Sequence, residues 1–147
     1  MPQSFVSNNI HIVFGTRERR PIIPREIQKR LWGYLAGITK NIGGQSMAIG
    51  GIEDHVHVLL ALPADLAIAK TVNLLKSNSS KWMGEQGREF AWQRGYAAFS
   101  VSASNLAAVT EYIERQEEHH RRRDFKQEFI ALSKRHHIEF DPRYILD

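Results

Sequence analysis

The chain has 147 residues, of which 42% are hydrophobic and 10% aromatic, and it contains no cysteine. That size and composition fit one globular domain spanning 1–147 and exclude a disordered chain, a disulfide scaffold, a thiolate metal site and a cysteine nucleophile. A formal charge of +4 permits nucleic-acid binding without requiring it.

No apolar run approaches the ~20 residues of a membrane-spanning helix, and the first residues lack the pattern of a secretory signal. The expected compartment is the cytoplasm. Basic residues gather in "RERR" at 17–20 and "RRR" at 121–123, although each cluster alone also reads as a solvated face.

Residues 5–16, rich in Val, Ile and Phe, read as a first strand ended by Gly15 and a basic turn. A helix begins at Pro24, spaces Ile27, Leu31, Leu35 and Ile38 along one face, and stops at Gly43 and Gly44. Residues 46–62 offer two strands divided by a turn near 52–54. A second helix runs from near Asp65 to Gly87, and a strand follows at 96–102. A third helix, about 104–122, opens on a Ser/Asn cap signal. The tail, about 125–147, holds a short amphipathic helix and an extended end. The first six elements make the order βαββαβ, which predicts an α+β, ferredoxin-like antiparallel sheet with helices on one face, plus a C-terminal helix.

Within "EDHVHVLLAL" (53–62), His55 and His57 are two apart on a strand. They point to one face while Val56 and Val58 point to the other. The valines are expected against the helices and the histidines on the open side. Two imidazoles about 6.6 Å apart along the strand can turn nitrogens onto one ion of the Mn, Zn, Fe or Ni type. The same pair also fits two ordinary strand histidines.

On the third helix, Leu106, Val109 and Ile113 form the core stripe, and Glu111, Glu114, Arg115 and Glu118 take the opposite side. Tyr112, Gln116 and His119 share a flank. Tyr112 and Gln116, four apart, are surface neighbours: one offers a hydroxyl, the other a hard amide oxygen. Tyr34, Tyr96 and Tyr144 have no such companion. A border tyrosine on an amphipathic helix is the plainer reading of Tyr112 alone; its conjunction with the histidine pair favours chemistry.

At these residues the sequence resembles the single-tyrosine HUH transposases, including chromosomal relatives associated with palindromic repeats. "HVHVLL" is similar to the family's His-hydrophobic-His motif and "YIERQEEHH" to its catalytic helix. "HIVFGTRERRPI", "LLKSNSSKW", "WQRGYAAFSVSASN" and "EFIALSKRHHIEFDPRYI" resemble its other segments in order. Ala97 and Ala98 stand where members often carry Gly.

The resemblance implies that Tyr112 is the nucleophile, and that His55, His57 and Gln116 hold a divalent ion, Mg2+ or Mn2+. A ligand set without charge implies weak binding. It implies cutting and rejoining of hairpin-bearing single-stranded DNA through a 5′-phosphotyrosine, by a homodimer whose tyrosine helix completes the partner's site. Arg17, Arg19, Arg20, Lys76 and Lys81 are the candidates for tracking phosphates, and His119 or His120 for a general base. Two alternatives stay open. One is a non-catalytic nucleic-acid module of the RRM type; the other is a metal-dependent phosphohydrolase using the His pair with Asp54 or Glu53.

Overall fold

A computed structural model describes residues 5–119 and 124–139, the side chain of His119 excepted. Four strands, β1 (Asn9–Gly15), β2 (Gln45–Ile52), β3 (His55–Ala61) and β4 (Ala97–Ser100), form one antiparallel sheet in the order β2-β3-β1-β4. Two helices, α1 (Arg25–Asn41) and α2 (Ile68–Glu85), follow β1 and β3, so the ferredoxin-like order expected from the sequence is the observed one. Gly43, at φ 89°, takes the left-handed conformation that ends α1 and that glycine adopts without penalty.

The alternation of β1 and β3 divides the core. Ile10, Ile12, Phe14, Val56, Val58 and Leu60 face α1 and α2, where they pack with Ile27, Leu31, Leu35, Val72 and Leu75. The opposite face carries His11, Val13, His55, His57 and Leu59, all buried. It is not the open side that the strand pattern suggested. Three further helices cover it: α3 (Leu106–Glu114), α4 (Gln116–His119) and α5 (Phe125–Arg135). Ile113 of α3 packs on Ala48 and Leu59, while Phe125 and Leu132 of α5 pack on Val13, Ala97 and Phe99. Strands covered on both faces read as continuous apolar runs rather than as alternation, and β3 is buried from His55 to Leu60.

The single helix expected over 104–122 is two pieces. Arg115 leaves the helical region (φ −104°, ψ 27°) between α3 and α4. The anticipated side-chain cap at the start is absent as well, since Asn105 makes no capping hydrogen bond. By contrast α5 opens with a capping box: Asp124 accepts from the Gln127 amide at 2.8 Å, and the Gln127 side chain accepts from the Asp124 amide at 3.0 Å. That start phases Phe125, Glu128 and Leu132 inward. No described helix is long and apolar enough to cross a membrane.

Candidate active site

His55 and His57 stand on the central strand β3 with fully buried rings, their centroids 5.1 Å apart. Each is oriented through its Nδ1. His55 Nδ1 lies 2.8 Å from Asp54 Oδ1, and His57 Nδ1 lies 2.7 Å from Nε2 of His11, a neighbour on β1. The Asp54 carboxylate accepts from His55 Nδ1 and directs Nε2 outward, as orienting partners of metal ligands do, while between His11 and His57 either nitrogen can be the donor. Both Nε2 atoms turn to one place. His57 Nε2 meets Glu128 Oε1 at 2.9 Å; His55 Nε2 meets Gln116 Oε1 at 3.2 Å and Glu128 Oε1 at 3.3 Å.

The break after α3 helps present Gln116. Its Nε2 donates to the Tyr112 carbonyl (3.3 Å), which satisfies an acceptor at the helix end and leaves Oε1 directed at His55. Gln116 is 1% exposed. Tyr112 stands edge-on to the His57 ring, centroids 5.8 Å apart, and its hydroxyl donates to Glu128 Oε2. One chain therefore brings Tyr112 to its own histidine pair.

α3 can approach this closely because β2 has a glycine beneath it. A Cβ on Gly50, paired with His57 in the sheet, would lie 2.5 Å from the Ile113 carbonyl oxygen. On the other side, an open cavity of about 640 Å³ between α3, α5 and the end of β4 reaches Tyr112 and Glu128, walled by Ser100, Asn105, Arg135 and His136.

Two members of the cluster escaped the sequence reading. Glu128 sits on the buried stripe of α5, three residues after Phe125 and four before Leu132, at 1% exposure. A lone carboxylate on an apolar stripe was the available signal. His11 alternates with Ile10 and Ile12 onto the histidine face, a polar residue inside a strand that otherwise reads as core. Burial and the proximity of His57 hold its pKa well below the ordinary histidine value, against the opposing charge of Glu128. His55 goes the other way. Burial alone would lower it, but hydrogen bonds to Asp54 and Glu128 and their charges outweigh that and raise it to about 9.

The basic candidates divide. Arg17 and Lys81 are exposed, and Arg20 pairs with Glu18 at 3.0 Å on the surface. Arg19 folds back over the Phe125 ring, 5.3 Å from its centroid, from a turn in which Glu18 and Arg19 have φ near 55°. Its Nη1 is buried without a hydrogen-bond partner among the described residues. Lys76 does not fit the phosphate-tracking expectation. Its ammonium donates to the carbonyls of Gln93, Arg94 and Gly95 at 2.8, 3.1 and 2.8 Å. Those three bonds take all three of its N–H groups, and burial lowers its pKa to about 8. Lys76 clamps the loop before β4. The His119 side chain, His120 and the basic cluster 121–123 lie outside the described residues.

The family model described as "Transposase IS200 like" matches residues 4–116, most of the chain and all four strands. The chain belongs to the IS200-like transposase family. Among curated members it is similar to the transposase for insertion sequence element IS200 of Salmonella typhimurium, at 29% identity over 115 residues, covering 72% of this chain and 74% of the relative. It is also similar to the ISDra2 transposase TnpA of Deinococcus radiodurans, at 25% identity over 114 residues, covering 72% and 81%. Two solved structures share the fold. A putative transposase from Deinococcus radiodurans matches with TM-score 0.62 and 24% identity, covering 79% of this chain and 96% of that one. A REP-associated tyrosine transposase bound to a REP hairpin matches with TM-score 0.62 and 14% identity, covering 82% and 73%. Within this IS200-like transposase, the family match takes in His11, His55, His57 and Tyr112 and ends at Gln116; Glu128 and α5 lie beyond it.

Proposed function

We propose that this IS200-like transposase cuts and rejoins hairpin-bearing single-stranded DNA with Tyr112 as its nucleophile. The observation that carries the reading is the convergence in one chain of the Tyr112 hydroxyl, two outward-facing imidazole nitrogens and an amide oxygen. The binding of a REP hairpin by the structural neighbour supports the choice of DNA.

The donor atoms fit a divalent ion. Ligand atoms of His55, His57 and Glu128 lie within 4.8 Å of one another, with Gln116 Oε1 alongside. His55, His57 and Gln116 would hold Mg2+ or Mn2+. When bound, such an ion supplies Lewis-acid polarisation of a phosphate oxygen. The rest falls to the chain. The cavity beside Tyr112 admits the strand, and Arg19 with Arg17 and Arg20 tracks its phosphates. The helix α3, held close by Gly50, aims the hydroxyl. Attack forms the Tyr112 Oη–phosphorus bond and breaks the bond from phosphorus to the 3′ oxygen. The tyrosine proton is lost, the 3′ oxygen takes one up, and the strand is left as a 5′-phosphotyrosine with a free 3′-hydroxyl. That hydroxyl, or another, reverses the step and rejoins DNA.

The two alternatives fit less well. An RRM-type reader needs aromatic side chains exposed on its sheet, whereas here α3 and α5 cover that face and Phe99 stacks under His136, centroids 4.6 Å apart. A hydrolase built on Asp54 would need that carboxylate at the ion, and it sits on the Nδ1 side of His55 instead. The test is Tyr112→Phe, which removes one oxygen and keeps the ring. It should bind hairpin DNA, yet form no denaturant-resistant adduct and cut no strand with Mg2+ or Mn2+. Undiminished cleavage would sink the reading. The homodimer remains part of the proposal.

A further inference from the structure

We infer that Glu128, on α5, is an anionic ligand of the divalent ion, making a set of two imidazoles, one carboxylate and one amide that prefers a first-row transition ion of the Mn2+ type to Mg2+. The inference rests on the reading that His55 and His57 hold an ion.

The geometry comes first. Ligand atoms about 2.1 Å from a common octahedral ion lie about 3.0 Å apart when they are neighbours around it. Glu128 Oε1 stands 2.9 Å from His57 Nε2 and 3.3 Å from His55 Nε2, and Gln116 Oε1 stands 3.2 Å from His55 Nε2. Glu128 thus meets the same two nitrogens that an ion would take, at the spacing of adjacent ligands.

Burial comes second. Glu128 is 1% exposed, on the face that buries Phe125 and Leu132. A carboxylate there needs a compensating charge, because an isolated buried one is heavily penalised. An apolar side chain would pack α5 against the sheet with no such demand. The helix carries this group onto the two imidazole Nε2 atoms and the Tyr112 hydroxyl.

The ligand chemistry then changes. Without Glu128 the donors are neutral, and the ion would lean on the DNA phosphate for its negative charge. With Glu128 the site carries a charge of its own, so an ion is held before DNA arrives. Imidazole donors favour transition metals, and Mg2+ is reluctant to give up its water. The second oxygen of the same carboxylate accepts the Tyr112 hydroxyl, so one side chain ties the ion to the nucleophile. α5, which supplies this ligand, lies beyond the residues matched by the family model.

Titration of the DNA-free full chain with Mn2+, followed by loss of the free-ion EPR signal, tests this. Wild type should bind one Mn2+, with Mg2+ competing only at large excess. Glu128→Gln keeps the shape and removes the charge; it should weaken Mn2+ binding roughly ten-fold or more, the range in which even supporting partners of a ligand act. If Glu128→Gln binds Mn2+ as wild type does while His57→Ala loses it, Glu128 is not a ligand and the inference fails while the metal reading stands. If His57→Ala also binds normally, the metal reading itself fails. Mg2+ displacing Mn2+ at equal concentration would overturn the preference. Should Glu128→Gln lose its fold, anomalous diffraction from wild-type crystals soaked in Mn2+ decides. A Glu128 oxygen about 2.0–2.2 Å from the ion supports the ligand role, and an ion on the histidines with Glu128 held only by Tyr112 overturns it.

Discussion

His55 is where charge and ligand roles compete. Its pKa, raised to about 9 by Asp54 and Glu128 against the pull of burial, exceeds the ordinary 6.5. A histidine raised in the folded state contributes stability that is complete below its unfolded value and is lost as pH rises through its folded one. The metal-free protein should therefore become less stable between pH 6.5 and about 9, read as a falling Tm in EDTA, and His55→Gln should flatten that fall. A Tm that rises over this window would contradict the assignment. The pairing of His55 with His57 and of Tyr112 with Gln116 was legible in their spacing, and the structure brings the four together. Glu128 and His11 were not legible. Each depends on which elements meet across the sheet, and a carboxylate at the fourth residue of a tail helix carries no local mark of the histidine pair it will face.

At the scale of elements, the site depends on how closely α3 lies on β2. Gly50 sets that distance, since a methyl there would press on the Ile113 carbonyl and displace the turn carrying Tyr112. Gly50→Ala should leave the sheet folded while lowering the rate of adduct formation about 100-fold, the penalty that a ~1 Å misplacement brings. The rate would be read from single-turnover cleavage of hairpin DNA; an unchanged rate would show that α3 is positioned by other contacts. The strand and helix order was readable from periodicity, but two element-level features were not. The break at Arg115 follows from the local placement of Gln116, whose side chain takes the Tyr112 carbonyl. The burial of the histidine face follows from α3 and α5 folding over it, and alternation within β3 could not report on a covering segment fifty to seventy residues away.

The whole molecule is a sheet covered on both faces, with α1 and α2 against the aliphatic side and α3 and α5 against the histidine side. The charged turn at 17–20 lies beside α5, through Arg19 on Phe125, so the phosphates it would track lie near the cluster. Affinity for hairpin DNA should fall with salt, each neutralised phosphate contributing about 0.7 to the log–log slope for single strands. Replacing Arg17, Arg19 and Arg20 together should flatten that slope. Lys76→Met should loosen the 93–95 loop and leave the slope unchanged, because its ammonium is bound to carbonyls. An equal slope in the triple variant would assign the arginines to a solvated turn.

The central claim is that Tyr112 carries the DNA. Wild-type protein should be incubated with hairpin-bearing single-stranded DNA and Mn2+, then denatured, digested and mapped by mass spectrometry. A nucleotide adduct is expected on the peptide containing Tyr112. An adduct on Tyr34, Tyr96 or Tyr144, or cleavage with no adduct at all, would contradict it.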